Sequence, residues 1–243
     1  MGVVGTLVLS GVLSSVAGIP YYRALELDDS TNIGIFTQLA PVLYLILGWF
    51  FLGDVFSPLQ LVAFAIILTA PMLIVMTTKK RSRKIKIRAV LYAFLYVLIA
   101  VVGNLFFVEV SDGSMSFVDE IALMMFGKGI AGTLIVLGYS RWRKRFVTVM
   151  KQSRRKVLRP LSVNFGLGIV KEFSYRGALV TAPAVALASV ASDSVEPIVI
   201  FFLGLLLTLI WPKFGREKLD RKTVIVHLIA TALVVVGVIL LQM

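Results

Sequence analysis

Eight long apolar stretches constrain this chain more than anything else in it. They cover residues 3–22, 31–52, 59–78, 89–110, 117–139, 161–182, 185–211 and 223–241. The hydrocarbon core of a bilayer is about 30 Å thick, so a spanning helix needs about 20 mostly apolar residues. In lipid, only helices and closed barrels satisfy their own backbone polar groups. The stretches here are continuous rather than alternating, which selects helices. A mean hydropathy of +0.94 and a 58% hydrophobic share leave too little polar surface for a soluble domain of 243 residues. The expected fold is an all-α integral membrane protein with about eight transmembrane helices. The first stretch lacks a basic leading segment and seven more follow it, so it reads as a span rather than a signal peptide.

The net charge of +12 is explained by where the basic residues stand. Seven lie in 79–88, nine in 141–159 and five in 213–222, and Arg23 follows the first span. These 22 of the 25 basic residues all fall in alternate linkers. The intervening linkers and both tails hold none, which is the positive-inside pattern. The basic linkers are therefore expected in the cytoplasm and both termini outside, in a multi-pass protein of the cell membrane. Nucleic acid is not an expected partner, because no folded domain is left to present a basic face. In the long linker, Trp142, Phe146, Val149, Met150 and Val157 recur at helical spacing among Arg and Lys. That pattern fits an amphipathic helix on the inner leaflet; a solvated basic linker is the alternative.

Two parts of the chain resemble each other. Tyr22-Arg23 followed by Ala-Leu is matched by Tyr175-Arg176 followed by Gly-Ala-Leu. Pro41 followed by Leu47-Gly48 is matched by Pro197 followed by Leu203-Gly204. Spans one to three thus pair with spans six to eight. The odd offset makes paired helices run in opposite directions, the inverted repeat of many secondary transporters. Pro41 and Pro197 are the candidate helix kinks, since proline removes an amide donor and bends a helix.

On these residues the chain resembles the EamA-type repeat of the drug/metabolite transporter superfamily. The first copy runs from Tyr22-Arg23-Ala24-Leu25 through Gln38-Leu39-Ala40-Pro41 and Leu47-Gly48 to Phe51-Leu52-Gly53-Asp54. The second runs from Arg176-Gly177-Ala178-Leu179 through Glu196-Pro197 and Leu203-Gly204 to Trp211-Pro212, Glu217 and the Gly237 span. The resemblance implies a helical bundle of two repeats of five helices. Here the expected organisation is three plus five: residues 1–78 a partial first repeat, 79–88 a basic cytoplasmic linker, and 89–243 a complete second repeat. The first two helices of the family pattern are expected to be missing. Members are often described with both ends cytoplasmic, and the basic linkers here point the other way.

Charges inside spans are costly, at least about 2.5–3.5 kcal/mol each at the bilayer centre by insertion scales, and normally face a cavity or a partner. Lys128, Lys171, Glu172, Asp193 and Glu196 stand well inside spans, with Arg176 nearer a helix end. Glu172 and Arg176 are four apart with the acid first, the favourable order for a pair. Lys128 is expected to pair with a carboxylate, Glu172 or Glu109; an anionic substrate is the alternative. Tyr22, Gln38, Asn104, Lys128, Glu172, Tyr175 and Arg176 are the candidates for lining a substrate cavity; the bland alternative is a self-neutralising pair that holds helices together. Asp193 and Glu196 share a face beside Pro197 and are the candidates for coupling to a proton or cation. Both could instead sit at the outer interface.

The expected activity is a permease that moves a small metabolite by alternating access, with proton coupling left open. An ion or lipid-linked-sugar translocator on the same scaffold, or a non-transporting subunit that needs a partner, are the alternatives. An enzyme is not expected: the chain has no cysteine, a single His227, and scattered carboxylates. No cofactor or metal is expected. Expected partners are the lipid bilayer and a small-molecule substrate, with a proton or cation and a second copy of the chain left open.

Overall fold

The computed structural model describes residues 2–28, 33, 36–37, 39–78, 86–111, 113–182, 184–189, 191–192, 195, 199, 206, 210 and 221–241. Among them the structure consists of helices joined by short turns, with no strand. The helices are α1 (Val3–Leu27), α2 (Ala40–Leu52), α3 (Pro58–Thr78), α4 (Ile87–Val110), α5 (Phe117–Gly138), α6 (Ser140–Thr181) and α7 (Arg221–Leu241). Three of these, α1, α4 and α5, are long and apolar enough to cross a membrane by length and composition. Ala40–Leu52, Pro58–Ala70 and Leu228–Leu240 are shorter apolar helices.

Local chemistry sets several boundaries. At the start of α3, the Ser57 hydroxyl accepts from the Gln60 amide (3.2 Å), and the Gln60 side chain accepts from the Ser57 amide (3.0 Å). This is a capping box, with Pro58 in the first turn where its missing donor costs nothing. At the end of α2, Gly53 adopts φ +71°, and the Asp54 amide donates to the Gly48 carbonyl (3.3 Å). Glycine occupies that left-handed position without a Cβ clash. Pro41 lies in the first turn of α2. It therefore begins that helix rather than bending its interior, because an orphan amide position is where proline is tolerated.

The largest departure from the sequence reading is α6. Its 42 residues run from the basic linker straight into the sixth expected span. At about 1.5 Å per residue that is about 63 Å of helix, twice what the hydrocarbon core needs. The basic segment is helical, as its spacing suggested, and it is continuous with the span instead of being a separate element. No helix-breaking chemistry separates the two parts except Pro160, which lies within the helix.

The chain divides into two compact units. One comprises Met1–Pro20 and Ile99–Thr181, the other Tyr21–Leu98 and Ala182–Met243. The first unit packs Leu7, Phe107, Ile121 and Met124 into a core flanked by Phe117, Phe173 and Val180. In it, α1 and α5 touch backbone to backbone. A Cβ on Gly11 would stand 1.9 Å from the Met124 carbonyl oxygen, and one on Gly127 would stand 2.1 Å from that of Val8. Small residues that let helices approach this closely are the usual adhesive of membrane bundles, where apolar burial gives no net drive.

In the second unit, Ala24, Ile33, Ala89 and Ala93 form a core with Tyr21, Leu25, Leu27 and Phe36 against it. Asp28 accepts from the Lys86 amide (3.1 Å), which ties the end of α1 to the start of α4. The helices α3 and α7 pack along each other. Gly237 makes room there: a Cβ on it would lie 2.2 Å from Cγ1 of Ile67. Large apolar side chains, among them Phe50, Phe51, Phe126, Leu134, Phe165 and Leu167, stand well exposed on the helices. Lipid contact accounts for so much bare apolar surface; water does not.

Candidate functional site

The first unit brings charged side chains of α5 and α6 together. Glu172 of α6 accepts from Lys128 of α5 through Oε1, and from Nε of Arg176 (3.1 Å) through Oε2. One turn of α6 sets the Glu172–Arg176 spacing, since residues four apart share a face. The close approach of α1 to α5 fixes the backbone of Lys128: the Ser15 hydroxyl donates to the Lys128 carbonyl (3.0 Å). Of the two acids the sequence left open for Lys128, the fold selects Glu172.

Arg176 is the most enclosed member, at 1% exposure. Its guanidinium carbon lies 4.5 Å from the centre of the Phe107 ring, a cation–π contact. Nη2 reaches the Ser14 hydroxyl oxygen at 3.5 Å. Nη1 is buried and has no hydrogen-bond partner among the described residues. The Lys128 and Glu172 side chains are each about a quarter exposed. Among the described residues, the charged groups that act on Lys128 and Glu172 are each other and Arg176. Two cations and one anion leave this cluster with one net positive charge.

Polar side chains cross-link the same unit. The Ser10 hydroxyl donates to the Gly103 carbonyl (2.6 Å), joining α1 to α4. Glu120, buried in the first turn of α5, accepts from the Ser111 hydroxyl. A carboxylate there also suits the positive end of the helix dipole. Ser10, Ser14, Ser15, Phe107 and Glu120 were not singled out from the sequence. The serines carried a signal, since three hydroxyls and Gly11 within six residues of one apolar span are unusual.

The other expected site residues are placed as follows. Asn104 and Tyr175 are half-buried in α4 and α6 of the same unit. Tyr22 belongs to the second unit, where it is 62% exposed and its ring meets that of Tyr21 at 5.7 Å. Pro41 and Gly48 are buried in α2. Gln38, Asp193, Glu196 and Pro197 lie outside the described residues, as does the rest of the second Pro-to-Gly copy.

The loop after α2 holds one further polar feature. The Asp54 carboxylate folds back over Gly48, where a Cβ would stand 2.7 Å from Oδ2. The Val185 backbone hydrogen-bonds to it, while Oδ2 is buried without a partner among the described residues. Burial holds this carboxyl above its ordinary value of 3.8, and the Val185 bond opposes that shift only in part.

Comparison with known proteins agrees with this architecture. Residues 2–76 match the EamA-like transporter family. The EamA-type resemblance holds. The match falls on the segment read as the first repeat of an EamA-like bundle. A solved structure described only as "Crystal structure of protein" aligns with all of this chain and 89% of its own, with a TM-score of 0.62 at 14% identity. At that identity the likeness concerns the fold alone. No curated protein matches significantly. The family and the apolar helices together support a membrane transporter-like protein.

Proposed function

We propose that this chain is a multi-pass permease of the cell membrane that moves a small metabolite by alternating access. The observation that carries the reading is the Lys128–Glu172–Arg176 cluster, which joins the candidate span α5 to the apolar part of α6. Charges inside spans are expensive and mark pathways more often than scaffolding. The inverted-repeat organisation, residues 1–78 against 89–243, is supported by the packing of α3 on α7, the last helix of each copy. Rocking of two such repeats about a central site is the general mechanism of this architecture. Proton coupling through Asp193 and Glu196 belongs to the same reading.

The orientation, with basic linkers cytoplasmic and both termini outside, draws support from the contact between Asp28 and the Lys86 amide. These residues belong to the first and third linkers, which the charge pattern assigns to one side. A reporter fused after Met243 is expected to behave as extracytoplasmic; a cytoplasmic signal would overturn the orientation.

The decisive experiment is flux. The purified full chain in proteoliposomes should exchange radiolabelled metabolites from a mixed amino-acid and organic-acid panel across a sealed bilayer. Absence of counterflow for every solute would replace the permease reading with that of a subunit needing a partner.

A further inference from the structure

We infer that the Lys128–Glu172–Arg176 cluster is a binding site for an organic monoanion, a small metabolite recognised by a single carboxylate. The inference names the substrate class of the proposed permease and rests on that reading for its physiological meaning, though binding can be tested without transport.

Three observations carry it. First, the cluster is not self-neutralising among the described residues: two cations, Lys128 and Arg176, face one carboxylate, Glu172. A lone pair holding helices together would balance. Second, donors are left over. Arg176 Nη1 is buried with no partner among the described residues, although the arginine is 1% exposed. The Lys128 ammonium carries three N–H donors and gives one to Glu172. Third, the members of the cluster differ in exposure. Lys128 and Glu172 are about a quarter exposed, while Arg176 is sealed behind Phe107 and Ser14. Lys128 is thus the more accessible of the two cations and Arg176 the more enclosed.

A carboxylate suits what is missing. Its two oxygens can accept from Lys128 Nζ and Arg176 Nη1 in charge-assisted bonds. A monoanion brings the cluster to neutrality, whereas a dianion would leave a net negative charge in a low-dielectric site. Glu172 thus has two tasks. It keeps both cations in place when the site is empty, and it limits the ligand to one negative charge.

The test uses the full chain in neutral phosphatidylcholine nanodiscs, with propionate, succinate and inorganic phosphate titrated calorimetrically. Propionate should bind best. Lys128→Gln should weaken propionate about ten- to a hundredfold, the range for a lost charge-assisted bond. Glu172→Gln should invert the preference, so that succinate binds at least as well as propionate, because the cluster then carries two positive charges. Glu26→Gln, at the exposed Arg23–Glu26 pair, should change nothing. Lack of propionate binding, stronger phosphate than propionate binding in the unaltered chain, or indifference to both cluster variants would overturn the inference. Flux of neutral solutes without carboxylate binding would defeat it and leave the permease reading standing. Carboxylate binding without any flux would do the reverse.

Discussion

The two units pack helices by similar means and bury different things. In the unit of Met1–Pro20 and Ile99–Thr181, helices meet at bare backbone, Gly11 and Gly127 against the Met124 and Val8 carbonyls. Hydroxyls from α1 then bond to backbone carbonyls on α4 and α5. In the unit of Tyr21–Leu98 and Ala182–Met243, Gly237 admits the side chain of Ile67 instead, and the core is alanine and isoleucine. Charge inside the described spans concentrates in the first unit, around Glu172. The second unit keeps its buried carboxylate, Asp54, in a loop. Backbone contact and polar cross-links hold side chains to a narrow geometry, which an ionic site requires. Side-chain contact between apolar helices tolerates sliding.

That contrast can be broken experimentally. The largest effect is expected at the ionic centre. Glu172→Gln should abolish flux in proteoliposomes while expression and monodispersity are retained, because Lys128 and Arg176 lose the acid they share. Normal flux in this variant would take the cluster out of the transport path.

Backbone contact comes next. Gly11→Ala and Gly127→Ala each push a methyl into a carbonyl that cannot rotate away, and should cost about 3 kcal/mol or more by the usual scale of overpacking. Gly129, two residues along α5, has open space around it, and Gly129→Ala should be neutral. Thermal unfolding in detergent reads all three; equal losses at Gly127 and Gly129 would refute the close approach.

In the second unit, Gly237→Ala should be milder, about 1–2 kcal/mol, since Ile67 can turn aside. Adding Ile67→Val should recover part of the loss. A Gly237→Ala penalty as large as that at Gly127, with no recovery, would erase the difference between the units.

The smallest effect concerns pH. Burial raises the Asp54 carboxyl above its ordinary 3.8 in the folded chain, so the folded state holds the proton more tightly than the unfolded one. Its contribution is full below 3.8 and is lost as pH rises through the raised value. Asp54→Asn should remove that slope, measured as the change in unfolding midpoint between acid and neutral pH. An unchanged slope would show that the carboxyl is solvated.

Much of the architecture was readable because its causes are local. Apolar runs at 59–78, 89–110, 117–139 and 223–241 coincide closely with α3, α4, α5 and α7. The Ser57–Gln60 box and Gly53 mark their boundaries by short-range chemistry. The boundary of α6 was not readable. A basic segment and an apolar one have opposite solvent preferences, yet both have helical propensity, and the helix runs through Pro160 at their junction although that residue donates no ladder bond. The acid–base spacing of Glu172 and Arg176 was visible along one helix. The partners Ser14, Ser15 and Phe107 were not, because they come from other helices.

By itself, then, the sequence determined where the long apolar helices lie and which residues bring charge into the apolar stretches. Hydropathy and linker charge act on each segment separately, so they can be read one segment at a time. Only the tertiary structure decided that Lys128 pairs with Glu172 rather than Glu109, and that Arg176 keeps an unanswered N–H behind Phe107. Those outcomes depend on which helices touch and at what rotation. Two glycines meeting two carbonyls set that contact, and its distance is not written in any one segment.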